Sequence, residues 1–194
     1  MLYLPAKGIL SFFIDYDDEL WGLNLEDPKD TSGYRVTYFP EVEMDKNKLI
    51  SDFSFLGEGR CCMLEPDEEY SFSFQLESQL VSMPSYEWQQ QFEMHSFDYI
   101  EDLGCSDERT DEIYEEYMEN SSKVGHQIGG YPFFTQEDPR YRGEEYLKYD
   151  FLMLQLDSDD HIMWGDAGIA NFMISFEKLK QRDFSDVLFN WNCH

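Results

Sequence analysis

From residue 70 to residue 83 the chain alternates, with Tyr70, Phe72, Phe74 and Leu76 separated by Ser71, Ser73, Gln75 and Glu77. A period of two puts the aromatics on one face and the hydroxyls on the other, which predicts an antiparallel strand with one wet side. Residues 34–42 (YRVTYFPEV) alternate less cleanly, and Pro40 marks the end of a second strand at a sheet edge or bulge. Residues 8–15 (GILSFFID), 150–156 (DFLMLQL) and 168–176 (GIANFMISF) are nearly unbroken apolar runs. Such runs are the pattern of central strands covered on both faces. Further strands are expected over 131–136 and 186–191.

Helices are fewer. Residues 106–119 begin with Ser106 as a capping residue and with acids in the first turn, which complement the positive helix end. The apolar positions Ile113, Tyr114, Tyr117 and Met118 then fall on one stripe. Residues 85–95, just after Pro84, place Trp88, Phe92 and His95 at helical spacing, and 177–181 make a short surface helix. Residues 43–48 and 137–145 read as polar loops. No Gly/Ser linker divides the chain, so residues 1–194 are expected to form a single domain. The fold class is α+β, predominantly antiparallel β-sheet, with a sheet-rich core and two or three short helices. One internal repeat is visible: residues 8–14 and 168–174 share the frame G-I-x-x-F-[FM]-I.

Composition narrows the class. With 42% hydrophobic and 17% aromatic residues the 194-residue chain can bury a core, which excludes disorder throughout. Against 41 Asp and Glu stand 14 Lys and Arg, a formal charge of -27. Nucleic acid and anionic membrane both require a cationic footprint, so neither is an expected partner; a basic protein is. No apolar stretch approaches the roughly 18 residues of a spanning helix, and residues 1–15 lack the features of a signal peptide. Of the four cysteines, Cys61 and Cys62 are adjacent and Cys105 and Cys193 stand apart, with no C-x-x-C. That spacing argues against a disulfide framework or thiolate zinc site and suits a reducing, cytoplasmic setting.

Three segments offer chemistry. Gly129 and Gly130 can adopt positive φ and form an anion-receptive backbone concavity, with His126 before it and Arg140 after it to supply charge. Asp157, Asp159 and Asp160 follow an apolar strand and supply oxygen ligands for Ca2+ or Mg2+, with Asp166 as an extra ligand. An EF-hand register fails, because Ile162 and Gly168 stand where that loop needs Gly and Glu. Trp164 offers an indole to stack on a ligand, and Gln155 and Asn171 are amides inside apolar strands that must find partners. A cleft between residues 125–140 and 155–171 would unite these groups. Neither G-x-S-x-G nor H-E-x-x-H occurs, and His95, His126, His161 and His194 are scattered.

The segments GHQIGGYP at 125–132 and QEDPR at 136–140, LQLDSD at 154–159, WGDAG at 164–168 and NWNC at 190–193 resemble the YwqG-like family of uncharacterised bacterial proteins. KGILSFFI at 7–14 and GYRVTYF at 33–39 extend the likeness over nearly the whole chain. The resemblance implies a sheet-rich α+β cytoplasmic protein with no activity to carry over, and by association a role beside toxin–immunity loci. Family members carry an earlier half upstream of the strand that 8–14 resembles. Here Met1 falls almost directly before it, which implies an N-terminally shortened chain and an exposed sheet edge open to homodimer pairing. The expected function is a non-enzymatic protein-interaction or immunity-type module. The alternative is a divalent-metal-dependent hydrolase or a sugar- or phosphate-binding enzyme.

Overall fold

The structure, a computed structural model, describes residues 3–55, 63, 69–83, 85–94, 96–121 and 124–194. Met1, Cys61, Cys62, Pro84, His95 and the acidic run at 65–68 lie outside the described residues. Two antiparallel sheets are present. One pairs β1 (Ile9–Ile14) with β2 (Tyr34–Phe39), and the other has the order β3 (Phe151–Asp157), β4 (Ile169–Ile174), β5 (Val187–Asn192). With the four α-helices among the described residues, α1 (Tyr86–Phe92), α2 (Ser96–Glu101), α3 (Asp107–Ser121) and α4 (Phe176–Gln181), the fold is α+β.

The two sheets pack through one apolar layer. Leu10, Phe12 and Ile14 of β1 and Tyr34 and Val36 of β2 face Ala170, Phe172 and Phe189 of the larger sheet. A bulge at Met153, between the ladder positions Leu152 and Leu154, sends two consecutive residues of β3 into this layer. The other face of the larger sheet is closed by Tyr146 and Tyr149 over Leu152, Met173 and Leu188. A separate cluster joins Trp88 and Ile100 to Val81 and Met83, with Ile113, Tyr114, Tyr117 and Met118 of α3 packed on it. That is the stripe expected from the helical spacing. Ser85 caps α1 by accepting the Trp88 N–H at 3.3 Å, and Ser175 caps α4 by accepting the Lys178 N–H at 3.3 Å.

Four expectations need correction. Residues 8–15 are not covered on both faces: Ile9 and Phe13 point outward and are exposed, because β1 has a packed sheet on one side only. The single helix expected over 85–95 is instead α1, which stops at a left-handed Glu93, followed by a separate α2 over Ser96–Glu101. Residues 70–83 belong to no ladder, although their alternation is the cleanest in the chain. The outer edge of β3, where such a strand would pair, is taken by another segment: Gln127 exchanges two backbone hydrogen bonds with Gln155, and Gly129 N–H donates to Leu152 C=O at 3.1 Å. Residues 131–136 are likewise not a strand. Their backbone groups are met by side-chain amides of the sheet beneath, as described next.

Candidate functional site

Residues 125–135 cross the outer face of the β3–β4–β5 sheet on a row of amides. Gln155 and Asn171 are Cα partners in the β3–β4 ladder and both are fully buried. The Gln155 carbonyl accepts the Phe133 N–H at 2.8 Å, and its NH2 donates to Gly125 C=O at 2.9 Å. Asn171 donates to Phe133 C=O at 2.8 Å, and Asn192 accepts from both the N–H and the hydroxyl of Thr135. An amide side chain carries one acceptor and two donors and therefore replaces a neighbouring strand at a single residue. Gln155 is thereby met at both its oxygen and its nitrogen, and Asn171 at its nitrogen.

From above, Gln79 repeats the device. Its carbonyl accepts the Tyr131 N–H at 2.8 Å and its NH2 donates to Tyr131 C=O at 3.0 Å. The clamp ties the 73–79 strap beside residues 126–131. Between them lies a groove of about 680 Å³, floored by Gly129 and Gly130 and reached by Phe151 and Leu4. Gly129 and Gly130 both have positive φ (70° and 76°). At Gly129 an added Cβ would meet open space, whereas at Gly130 it would run into the Gln79 carbonyl oxygen. Phe72, Phe74 and Leu76 of the strap are 45%, 64% and 82% exposed.

His126 borders the groove, but its ring is committed. Asp157 N–H donates to Nδ1 at 3.1 Å, so the proton sits on Nε2, which donates to Asp159 Oδ2 at 3.0 Å. Asp159 also accepts from His161 and Ile162 N–H, at 2.7 and 2.8 Å. With His126 as the largest contributor and these two amides next, the Asp159 carboxyl is held down to about 2. Asp157 accepts from Gly125 N–H at 2.6 Å and Ser158 N–H at 2.8 Å. Of the carboxylates expected to gather a cation, Asp157 and Asp159 accept backbone N–H groups, and Asp160 is exposed. Among the described residues no three His, Cys, Asp or Glu side chains converge as a metal-ligand set.

The remaining expected site residues lie elsewhere. Arg140 is 1% exposed and forms a closed ionic clamp, bonding both oxygens of Asp138 and both of Glu87, with the Tyr86 ring 5.0 Å away. Burial alone would lower its pKa, but these carboxylates reverse that and raise it. The guanidinium ties the Pro139–Arg142 turn to α1 and is not offered to a ligand. Trp164 is a core residue, edge-on to Trp21 at 5.3 Å between ring centroids. It belongs to the apolar layer on the inner face of the sheet, whereas Gln155 and Asn171 point to the outer face. Asp166 is exposed in the turn after Trp164, where its carbonyl accepts the His194 N–H at 3.2 Å. The expected union of 125–140 with 155–171 is therefore only partial: Gln155, Asn171, Asp157 and Asp159 meet residues 125–133 on the outer face, whereas Trp164 lies on the inner face and Arg140 is closed off by carboxylates. Gln79, the residue that shapes the real groove, carried no sequence signal beyond its place at the end of the alternating run.

A family model described as a domain of unknown function, DUF1963, matches residues 1–193. The chain belongs to the DUF1963 family. No curated protein matches this DUF1963 chain. No helix among its described residues is long and apolar enough to cross a membrane.

Proposed function

We propose that this DUF1963 chain is a non-enzymatic protein-interaction module of the YwqG-like kind, working in the cytoplasm and using the strap at 72–76 with its adjoining groove to hold a cationic partner, as an immunity-type protein would. The observation that carries this reading is the strap itself. Phe72, Phe74 and Leu76 stand exposed on a chain whose net charge is -27, and large exposed apolar side chains rimmed by charge mark contact surfaces. The polar groups around the groove are engaged by the fold: His126 by Asp157 and Asp159, Gly129 N–H by Leu152, Gln79 by Tyr131. A groove of that kind offers shape, apolar contact and field more than acid–base chemistry.

The test is recovery of a partner on immobilised protein at about 50 mM and about 500 mM salt, where screening differs severalfold in range. The recovered protein is then purified and its binding to wild type and to Phe74→Ser/Leu76→Ser is measured. A basic partner whose affinity falls with salt and with the double substitution supports the reading. A partner bound equally by the double variant, or none at low salt, overturns it.

A further inference from the structure

The β1–β2 hairpin has a second, unassigned feature along its free edge. The Gly33 carbonyl accepts the Asp15 N–H at 2.8 Å, which sets the phase of the antiparallel ladder. Arg35, Thr37 and Phe39 therefore direct their N–H and C=O groups at β1, and Tyr34, Val36 and Tyr38 direct theirs away from it. Among the described residues, no backbone group pairs with that outer edge. The matching edge of the second hairpin is used: Phe189 N–H donates to Pro28 C=O at 3.4 Å, and Val187 C=O accepts the Tyr34 hydroxyl at 2.6 Å. Where the first hairpin should be closed in the same way, a groove of about 450 Å³ runs between β2 and residues 182–187.

The charge of this groove is opposite to that of the chain. In a protein with 41 acidic and 14 basic residues, its lining holds Arg35 and Arg182 and no Asp or Glu. The nearest acids in sequence are tied back, Asp30 to Asn24 and Ser32, Asp183 to Lys178 and Ser185, and Asp186 to Lys148 and Tyr149. Neither Arg35 nor Arg182 has a carboxylate partner among the described residues, although Arg182 lies over the Tyr38 ring at 5.8 Å. Thr31, Thr37 and Ser185 add hydroxyls to the wall.

We propose that this groove accepts an extended acidic peptide, which adds as a strand to the β2 edge and sets its carboxylates on Arg35 and Arg182. Three outward-facing backbone positions give an unpaired edge the donors and acceptors for strand addition. Two guanidiniums with no carboxylate partner among the described residues give it a preference for acid side chains. The peptide belongs to another protein and engages a surface separate from the strap, with the opposite charge preference, so either site can fail without the other.

The probe is an acetylated six-residue peptide, Thr-Glu-Glu-Val-Glu-Thr amide, with two controls: the same peptide with Lys for Glu, and one N-methylated at alternate backbone nitrogens. Binding is followed by fluorescence anisotropy and by amide chemical shifts of Val36 and Tyr38. The acidic peptide is expected to bind and to shift both amides. Arg35→Glu and Arg182→Glu, both at exposed positions and checked for folding by circular dichroism, are each expected to weaken it by about tenfold or more. The Lys and N-methyl peptides are expected not to bind. The proposal is overturned if the acidic peptide leaves both amides unmoved, if the charge reversals leave its affinity unchanged, or if either control binds as well. The same shifts produced by inorganic phosphate alone would also overturn it, leaving a simple anion site.

Discussion

Phe12 and Phe172 occupy the same position of the repeated G-I-x-x-F-[FM]-I frame, and their rings meet at 5.0 Å between centroids. Tyr34 and Val187 are also equivalents, being the Cα partners of Ile14 and Ile174, and they too touch, through the Tyr34 hydroxyl and the Val187 carbonyl at 2.6 Å. The β1–β2 and β4–β5 hairpins thus pack face to face with equivalent positions of the repeat in contact. The likeness ends at the flanks. β3 covers one edge of β4, and residues 131–149 cover the outer face of that sheet, while Ile9, Phe13 and Phe39 on the corresponding face of the first hairpin are exposed.

Phe172 lies at the centre of the shared layer, stacked on Phe189 at 4.5 Å. Phe172→Ala is expected to destabilise by about 3–5 kcal/mol, and Phe12→Ala by less, because Phe12 is only half-buried. A double-mutant cycle by urea unfolding should show coupling of about 0.5–1.5 kcal/mol between the two rings. Strict additivity would mean that the contact contributes nothing.

Arg140→Ala removes the only cation paired with Asp138 and Glu87 among the described residues and is expected to cost about 3–5 kcal/mol, since it strands the nearly buried Asp138 carboxylate. Adding Asp138→Asn and Glu87→Gln should restore part of that loss. Thermal melts of the three variants decide it: a fully stable Arg140→Ala protein would show the clamp to be ornamental.

Gln155→Leu keeps approximate volume but leaves Phe133 N–H and Gly125 C=O without their partner, at about 1–3 kcal/mol per stranded group. Native-state hydrogen exchange reads this directly. The Phe133 amide should be protected in the wild type and exchange much faster in the variant, with the β4–β5 ladder amides changed less.

Gly130→Ala and Gly129→Ala separate strain from contact. Both force a side chain into the left-handed region, at about 1–2 kcal/mol. Only the Gly130 variant also displaces the Gln79 clamp, so only it should release the Tyr131 amide to exchange. Equal release in both variants would contradict the geometry.

Acid should loosen two defined places, the turn after β3 and the link between α4 and β5. Asp159 and Asp183 are both held down to about 2, the first by His126 and the second by Lys178. Their ordinary value is about 3.9, so the stability they contribute is present above that and is lost as pH falls toward about 2. Carboxyl titration by NMR should place Asp159 near 2 in the wild type and closer to its ordinary value in His126→Ala. An unchanged titration would remove His126 from the account.

Much of the fold was legible along the chain. β1 to β5, α1, α3 and α4 appear within three residues of their expected bounds, because each carries its own period, cap or apolar run. The site was less legible. Arg140 and Trp164 are residue types that serve ligand sites and cores equally well, and only packing shows which; here both are core. The aspartates at 157 and 159 fell to the same ambiguity, since a carboxylate that caps a turn and one that binds a cation share the same residues and spacing.

What the sequence by itself determined is local: which segments extend, which coil, that aromatic residues would build the core, and that residues 8–14 and 168–174 share one frame. Those properties depend on neighbours a few residues apart. Whether an alternating segment finds a sheet edge is a matter of competition between distant segments for the same hydrogen-bonding groups. At the edge of β3, Gln127 and Gly129 occupy the backbone groups of Gln155 and Leu152, and residues 70–83 are left with their aromatics toward solvent. Tertiary structure decided that outcome, and with it where the exposed surface of this protein lies.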